Sequence, residues 1–419
     1  MDLSNKKVAV VGLQRSGLAA IKLLAAKGAR VVVTDCLDTP RLRENLAKLD
    51  EKNIVDAEIG RHTEGFVRGC DLVIVSPGVP LDSLPIASAK KEGIPVISEI
   101  ELAFRFCPAP VIAITGTNGK TTVSTLVERI FRAAGRKCVL CGNIGNAFSN
   151  EVLGLTGRDV VVLEVSSFQL ETIDKFKPKV AAVLNLSPDH LDRYADLDEY
   201  VAAKCRIFSN QDKEDWALLK ADSEGLKMAE KTKARVLYFS RNDTEGLKEL
   251  NDNQVAALAI ASLFGIDENL AKDVCRNFKG IEHRLEVVAE IKGVEFINDS
   301  KATNVDSTLW ALRVLQKPVI LIAGGKDKGS DFAVVREKIK DKVRAMVLLG
   351  EAKEKIESLF RGSLRIETAL TLQEAVKCAF GLARSGDCIL LSPMCASFDM
   401  FSDYAERGRI FKQAVRNLS

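Results

Sequence analysis

The chain has 419 residues, 47% hydrophobic and 28% charged: too long for one ordinary core, and balanced like a globular protein of two or three domains. The formal net charge of +3 is spread along the chain, and only 6% of residues are aromatic. No Lys/Arg block stands out, which argues against a nucleic-acid footprint.

"MDLSNKKVAVVG" passes directly from a polar start into a strand, so no signal peptide is expected. No apolar run approaches the roughly 18 residues of a membrane-crossing helix. "VAVVGLQRSGLAAIKLL" then joins a strand, glycines and a helix. Asp35 closes the following strand about twenty residues on, where a ribose-binding acid would sit. The dinucleotide pattern G-x-G-x-x-G is broken, because Gln14 stands at its middle position between Gly12 and Gly17. A nucleotide-binding α/β domain is therefore expected rather than an NAD oxidoreductase. The turn "VSPGVP", with Gly78, either lines the same crevice or is only a turn.

Pro108 and Pro110 break a helix before a new strand. "VIAITGTNGKTTVSTL" follows: strand, Gly116-Thr117-Asn118-Gly119-Lys120-Thr121-Thr122, helix. Gly116 and Gly119 let backbone N–H groups approach an anion. Lys120 supplies a point charge for phosphates, and Thr121 a hydroxyl for Mg²⁺. Val123, Leu126, Val127, Ile130 and Phe131 repeat at helical spacing, and the helix N-terminus favours the phosphates. The usual loop would have glycine at Ile114; this one reads G-x-x-G-K-T. Gly116 to Thr122 are thus candidate ATP contacts.

The strand "DVVVLE" ends in Glu164, well placed for Mg²⁺. "VAAVLNLSPDH" is expected to deliver Asp189 and His190, one of three histidines, to the same sheet edge. In "DEYVAAKCRIF" the helical face of Tyr200, Val201, Lys204, Ile207 and Phe208 is apolar except for Lys204. Such a lysine either snorkels to water, or is buried and then paired or neutral. A neutral amine can take up CO₂ as a carbamate. The ten cysteines are scattered through apolar segments. Cys138 and Cys141 form a lone C-x-x-C, a poor zinc site, and are read as thiols in a reducing compartment.

Runs such as "PVILIAGG", "AMVLLG" and "CILLSP" continue the alternation of strand and helix, giving buried parallel sheets with helices on both faces. The fold class is α/β in three domains. These are an N-terminal Rossmann-like domain (1–106), a central phosphate-loop ATPase-type domain (107–282) and a C-terminal Rossmann-like domain (283–419).

Together these motifs resemble the Mur ligase family of bacterial peptidoglycan synthesis, over the full length and in domain order. The matching stretches are "ITGTNGKTT", "GNIGNAF", "LEVSSFQLE", "LNLSPDHLDRY", "YVAAK" and "HRLEVV". In the third domain, "INDSKATN", "AGGKDKGSDF" and "LLSPMCASFDMF" are similar to those of the member that adds D-glutamate to UDP-N-acetylmuramoyl-L-alanine. Members adding other amino acids, and folylpolyglutamate-type ligases, differ there. A kinase has no need of that third domain, and a binding module has no need of Lys204 in an apolar stripe.

The resemblance implies ATP-dependent amide formation in the bacterial cytoplasm by a monomer, without nucleic acid or membrane. ATP would phosphorylate the substrate carboxylate, and the D-glutamate amine would attack the acyl phosphate, with domain closure excluding water. It implies Lys120, His190 and Lys204 as catalytic residues. Thr121, Glu164, His190 and a carbamylated Lys204 would serve two Mg²⁺ ions. Asn253, Arg284, Asp299 and Asn304 would lie on the nucleotide side. Ser16, Asp35, Gly78 and Asn143 would meet the UDP substrate, and Lys301, Thr303, Lys328, Ser397 and Tyr404 the substrate and D-glutamate. Two departures stand out. The family's H-N-x-x-N appears as "LNDNQVAA", with the preceding segment around 240–253 trimmed. Gln14 and Arg15 replace smaller residues.

Overall fold

The computed structural model describes residues 1–47, 49, 54–190, 193–240 and 249–418. They form two compact units: residues 1–186 with 198–278, and residues 187–197 with 279–419.

The first unit holds two sheets. One places Ile54–Ile59, Arg30–Asp35, Lys7–Val11, Leu72–Val75 and Val96–Ser98 side by side, all parallel. Its order reverses between Lys7–Val11 and Leu72–Val75, the switch point where open α/β sheets bind ligands. The other orders Arg235–Phe239, Trp216–Lys220, Val180–Val183, Val111–Thr115, Val160–Glu164 and Cys138–Gly142, again all parallel. The central strands are continuous apolar runs because helices cover both of their faces. Val111–Thr115 and Val160–Glu164 are buried at every position.

One hydrophobic cluster runs from Val8 and Val10 of the first sheet through Ile100 and Leu102 to Val161 and Leu163 of the second. Glu101, fully buried in the helix Glu99–Phe104, ties the two sheets together. Its carboxylate accepts the backbone N–H groups of Asp174, Lys175 and Phe176 (2.8–3.0 Å) and pairs with Arg105 at 2.7 Å.

The second unit orders Glu286–Ile291, Val294–Asn298, Cys388–Leu391, Val319–Gly324, Val343–Leu349 and Arg365–Thr368. The runs read as parallel strands, Val319–Gly324, Val343–Leu349 and Cys388–Leu391, do pair in parallel, and the first two strands of the sheet, which were not among them, pair antiparallel. Lys292 and Gly293 join them at φ 51° and 76°, the two left-handed positions of a tight hairpin turn. The edge strands went unread in the sequence because they are half-solvated and carry charges, as in "IVDAEI" and "RIET".

All ten cysteines are free thiols. Cys138 and Cys141 lie on one strand, and burial pushes the Cys138 thiol up to about 12. Both pack with hydrophobic clusters, Cys141 inside one and Cys138 against another. The trimmed segment lies partly in 241–248, outside the described residues.

Candidate active site

The helix Lys120–Ala133 forms as its spacing predicts, with Val123, Leu126, Val127, Ile130 and Phe131 fully buried. It has no side-chain cap. Its N-cap is Gly119 at φ 84°, a left-handed position that leaves the first N–H groups open toward an anion. A Cβ at Gly119 would lie 2.4 Å from Asn253 Oδ1, so the glycine lets Asn253 lie against the loop.

The loop is braced by a residue the sequence reading passed over. Asn185 accepts from Thr117 N through its carbonyl (3.0 Å) and from Asn118 N through Oδ1 (2.8 Å), and donates to the Asn118 carbonyl (3.0 Å). The signal was a polar residue closing the buried run "VAAVLN". Lys120 Nζ donates to the carbonyls of Gly116 and Thr117, both at 2.9 Å.

Lys204 does not snorkel. It is 2% exposed, donates to the Gly116 carbonyl at 3.1 Å, and has its ammonium 4.5 Å from the Tyr200 ring centroid. Two lysines thus converge on one carbonyl at the phosphate loop. The Tyr200 hydroxyl also meets Thr117 Oγ1 at 3.3 Å. The apolar stripe is real, but the helix ends at Cys205, and Ile207 and Phe208 continue it in a 3₁₀ turn.

Glu164 ends the strand beside the loop strand, in register with Ile114. It is 1% exposed. Oε1 accepts from Asn143 Nδ2 at 2.8 Å, and Asn143 N donates to the Glu164 carbonyl at 2.8 Å. Its Oε2 is buried with no partner among the described residues. A buried carboxylate oxygen without a donor is costly; a bound cation would satisfy it. The residues present therefore fit Mg²⁺ at this strand end.

At the first sheet's switch point, Ser76 Oγ donates to the Gly12 carbonyl (3.0 Å). A Cβ on Gly17 would lie 1.8 Å from that carbonyl, so close helix–strand packing requires glycine there. Gln14 is exposed with φ −94°, which explains why a non-glycine is tolerated. Asp35 is buried and occupied by the loop itself, accepting from Leu13 N (2.7 Å) and Leu37 N (2.9 Å). Ser16 lies in the first helical turn, and Gly78 is exposed in the neighbouring turn. Arg15 donates to the carbonyls of Gly142, Asn143 and Gly145 at 2.8–3.0 Å. It thereby fixes the loop that carries Asn143.

His190 belongs to the second unit with residues 187–197, whereas Glu164 belongs to the first. The strand that was to deliver it ends at Val183. Asp189 binds Lys328 Nζ at 2.6 Å and Asn304 Nδ2 at 3.0 Å. Burial alone would raise the Asp189 pKa, but Lys328, His190 and Asn304 hold it down at about 2. His190 itself has φ 57°. Asn304 also caps the helix Val305–Val314 through Ser307 N.

Asp299 is buried, accepts from Ser392 Oγ (3.0 Å) and lies 4.0 Å from Arg284 Nη1. Burial pushes its carboxyl up to about 6 against the opposing pull of Arg284 and Ser392. The Arg284 guanidinium packs over Trp310, 5.6 Å from the ring centroid. Lys301 Nζ donates to Tyr404 Oη at 3.1 Å. Thr303 is half-buried two residues on, and Ser397 is buried, its carbonyl accepting from Met400 N and Phe401 N. Glu282, His283 and Glu286 cluster within 4.8 Å, but Lys412 Nζ already binds both glutamates.

Three family models match the chain: the MurD-like N-terminal domain over residues 6–98, the Mur ligase middle domain over 114–267, and the Mur ligase glutamate ligase domain over 283–395. A UDP-N-acetylmuramoylalanine--D-glutamate ligase of Koribacter versatilis is 42% identical over 450 residues, covering 100% of this chain and 99% of the relative. One of Clostridioides difficile is 43% identical over 451 residues, covering 100% of both. Both alignments are longer than the 419-residue chain, so the relatives carry residues without a counterpart here. The structure of a UDP-N-acetylmuramate-alanine ligase from Thermotoga maritima shares the fold, with a TM-score of 0.61 at 17% identity over 99% of this chain and 100% of the other. The chain belongs to the Mur ligase family.

Proposed function

We propose that this protein joins D-glutamate to UDP-N-acetylmuramoyl-L-alanine at the expense of ATP, as a monomer in the bacterial cytoplasm. The observation that carries the reading is a phosphate loop beside a buried carboxylate, Glu164, with one oxygen lacking a donor. The relatives' printed names supply the substrates.

The terminal carboxylate oxygen of the UDP substrate attacks the γ-phosphorus of ATP, and ADP leaves with the bond electrons. The D-glutamate amine then adds to the carbonyl carbon of the acyl phosphate. The tetrahedral adduct loses inorganic phosphate, the amine loses a proton, and the amide remains. Gly116 to Thr122 cradle the ATP phosphates, with Lys120 leaving its carbonyl partners for them. Thr121, Glu164, His190 and Lys204 would hold two Mg²⁺ ions, which would offset the phosphate charge. The Lys204 ammonium would lose one proton, and the neutral amine would then add CO₂ and lose a second proton to become a carbamate, replacing a buried cation by an oxygen donor.

Asn143 and Ser16 serve the UDP substrate, with Asp35 and Gly78 shaping its crevice. Asn253, Arg284, Asp299 and Asn304 serve the nucleotide. Lys301, Thr303, Lys328, Ser397 and Tyr404 serve the acceptor and D-glutamate carboxylates. Lys328 exchanges Asp189 for a carboxylate of the amino acid.

Phosphate release from ATP with UDP-N-acetylmuramoyl-L-alanine and D-glutamate, L-glutamate, L-alanine or no amino acid tests the reading. Release only with D-glutamate is expected, and equal release in all four would sink it. Lys204→Ala should lose most activity, and acetate or formate should restore part of it. Full activity in that variant with CO₂ excluded would remove the carbamate.

A further inference from the structure

The helix Tyr404–Arg416 carries an arginine that the chemistry above does not use. Arg407 is 2% exposed. Its guanidinium meets only neutral acceptors: Nε donates to Ser300 Oγ (3.0 Å), Nη2 to the Ser300 carbonyl (2.8 Å), and both Nη atoms to the Cys395 carbonyl (3.2 and 3.3 Å). Nη1 also reaches the Ala396 carbonyl at 3.3 Å. No carboxylate is among its hydrogen-bond partners among the described residues. Burying a cation without a paired anion is costly, and a neutral amide could bridge the same carbonyls at less cost. Burial draws the Arg407 pKa down to about 10 against the opposing pull of Cys395 and the nearby Asp399 carboxylate, so it stays charged near neutrality.

The partners it joins are informative. Ser300 directly precedes Lys301, and Ala396 directly precedes Ser397. Ser300 Oγ in turn donates to the Tyr404 carbonyl (2.8 Å), and the Tyr404 hydroxyl receives Lys301 Nζ. One buried guanidinium therefore fastens the "NDSKAT" turn, the "MCASF" loop and the start of its own helix. A Cβ on Gly325 would lie 2.3 Å from the Ala396 carbonyl and 3.3 Å from Arg407 Nη1, so the glycine keeps this junction closed on its other side.

We infer that Arg407 is a positioning residue for the incoming dicarboxylic amino acid: it sets Lys301 and Ser397 against each other, and its charge, which no carboxylate hydrogen-bonds among the described residues, favours an anion beside them. The inference rests on the D-glutamate reading proposed above. A carboxylate brought near these loops meets a fixed positive charge that needs no reorganisation on binding. A role in folding alone would not depend on which substrate is varied.

The test is steady-state kinetics of the full-length enzyme carrying Arg407→Lys, Arg407→Met or Ser300→Ala, with each substrate varied in turn. For Arg407→Lys, the KM for D-glutamate should rise tenfold or more, while those for ATP and the UDP substrate stay within twofold. Arg407→Met should be worse than Arg407→Lys in the same parameter. Ser300→Ala keeps the charge and loses one bond, so it should raise only the D-glutamate KM, by a smaller factor. Should Arg407→Met fail to melt cooperatively, the other two variants decide. An unchanged D-glutamate KM in Arg407→Lys, or equal rises in all three KM values, overturns the inference. A wild-type enzyme without D-glutamate-dependent phosphate release overturns the underlying reading instead.

Discussion

Glu164 shows how much one side chain depends on its neighbour. Asn143 holds one carboxylate oxygen and leaves the other buried without a donor. Asn143→Ala should therefore lower kcat/KM by roughly 10- to 100-fold, the usual cost of losing a group that orients a metal ligand, and weaken the Mg²⁺ dependence. A variant with unaltered Mg²⁺ titration would separate the two residues. Asp299 makes a prediction of the opposite electrostatic kind. Its folded pKa of about 6 lies above the unfolded value, so the native state binds the extra proton. Its contribution to stability is thus fully present at low pH and is lost as pH rises through about 6. Relative to Asp299→Asn, wild type should gain roughly 1–2 kcal/mol on going from pH 7.5 to pH 5. Chemical denaturation of both proteins at the two pH values reads this, and parallel stabilities would refute it. Glu164 was visible in the sequence because it ends an apolar strand, and Asp299 only through the motif "NDSKATN" and the family resemblance. The pKa of Asp299 was not, since its burial and its distance to Arg284 are set by other parts of the chain.

At the scale of elements, helix spacing and strand runs were legible wherever one face is fully buried. The helix Lys120–Ala133 is the clearest case. The hairpin Glu286–Asn298 was not read as antiparallel, because its solvated edge strand has no clean apolar period. Helix Tyr404–Arg416 docks through a feature no pattern announces. A Cβ on Gly408 would come within 2.3 Å of His283 Nδ1, and His283 is itself buried and bonded to Asn298. Gly408→Ala should cost about 1–3 kcal/mol by overpacking, despite the better helix propensity of alanine. Thermal unfolding measures it, and an unchanged or raised Tm would show that His283 yields freely.

For the whole molecule, the seam between the first two sheets is the feature that matters most. Glu101 is buried, yet its oxygens are met by three backbone N–H groups and Arg105. Glu101→Ala would leave those donors without a partner and should destabilise the first unit by roughly 3–5 kcal/mol. Differential scanning calorimetry should show its transition moving well below that of the second unit; a single unshifted transition would count against this role. The sequence by itself determined the α/β class, the phosphate loop and the family, because these depend on local period and on residue types at short spacing. It also placed Glu164 at a strand end, whereas His190, expected at another, lies seven residues beyond the strand that ends at Val183. Only the tertiary structure decided that residues 187–197 fold with the third sheet, that Asn185 braces the loop, and that Arg407 joins two loops nearly a hundred residues apart in the chain. Those contacts arise from long-range packing, where a buried polar group takes whatever partner the fold brings to it.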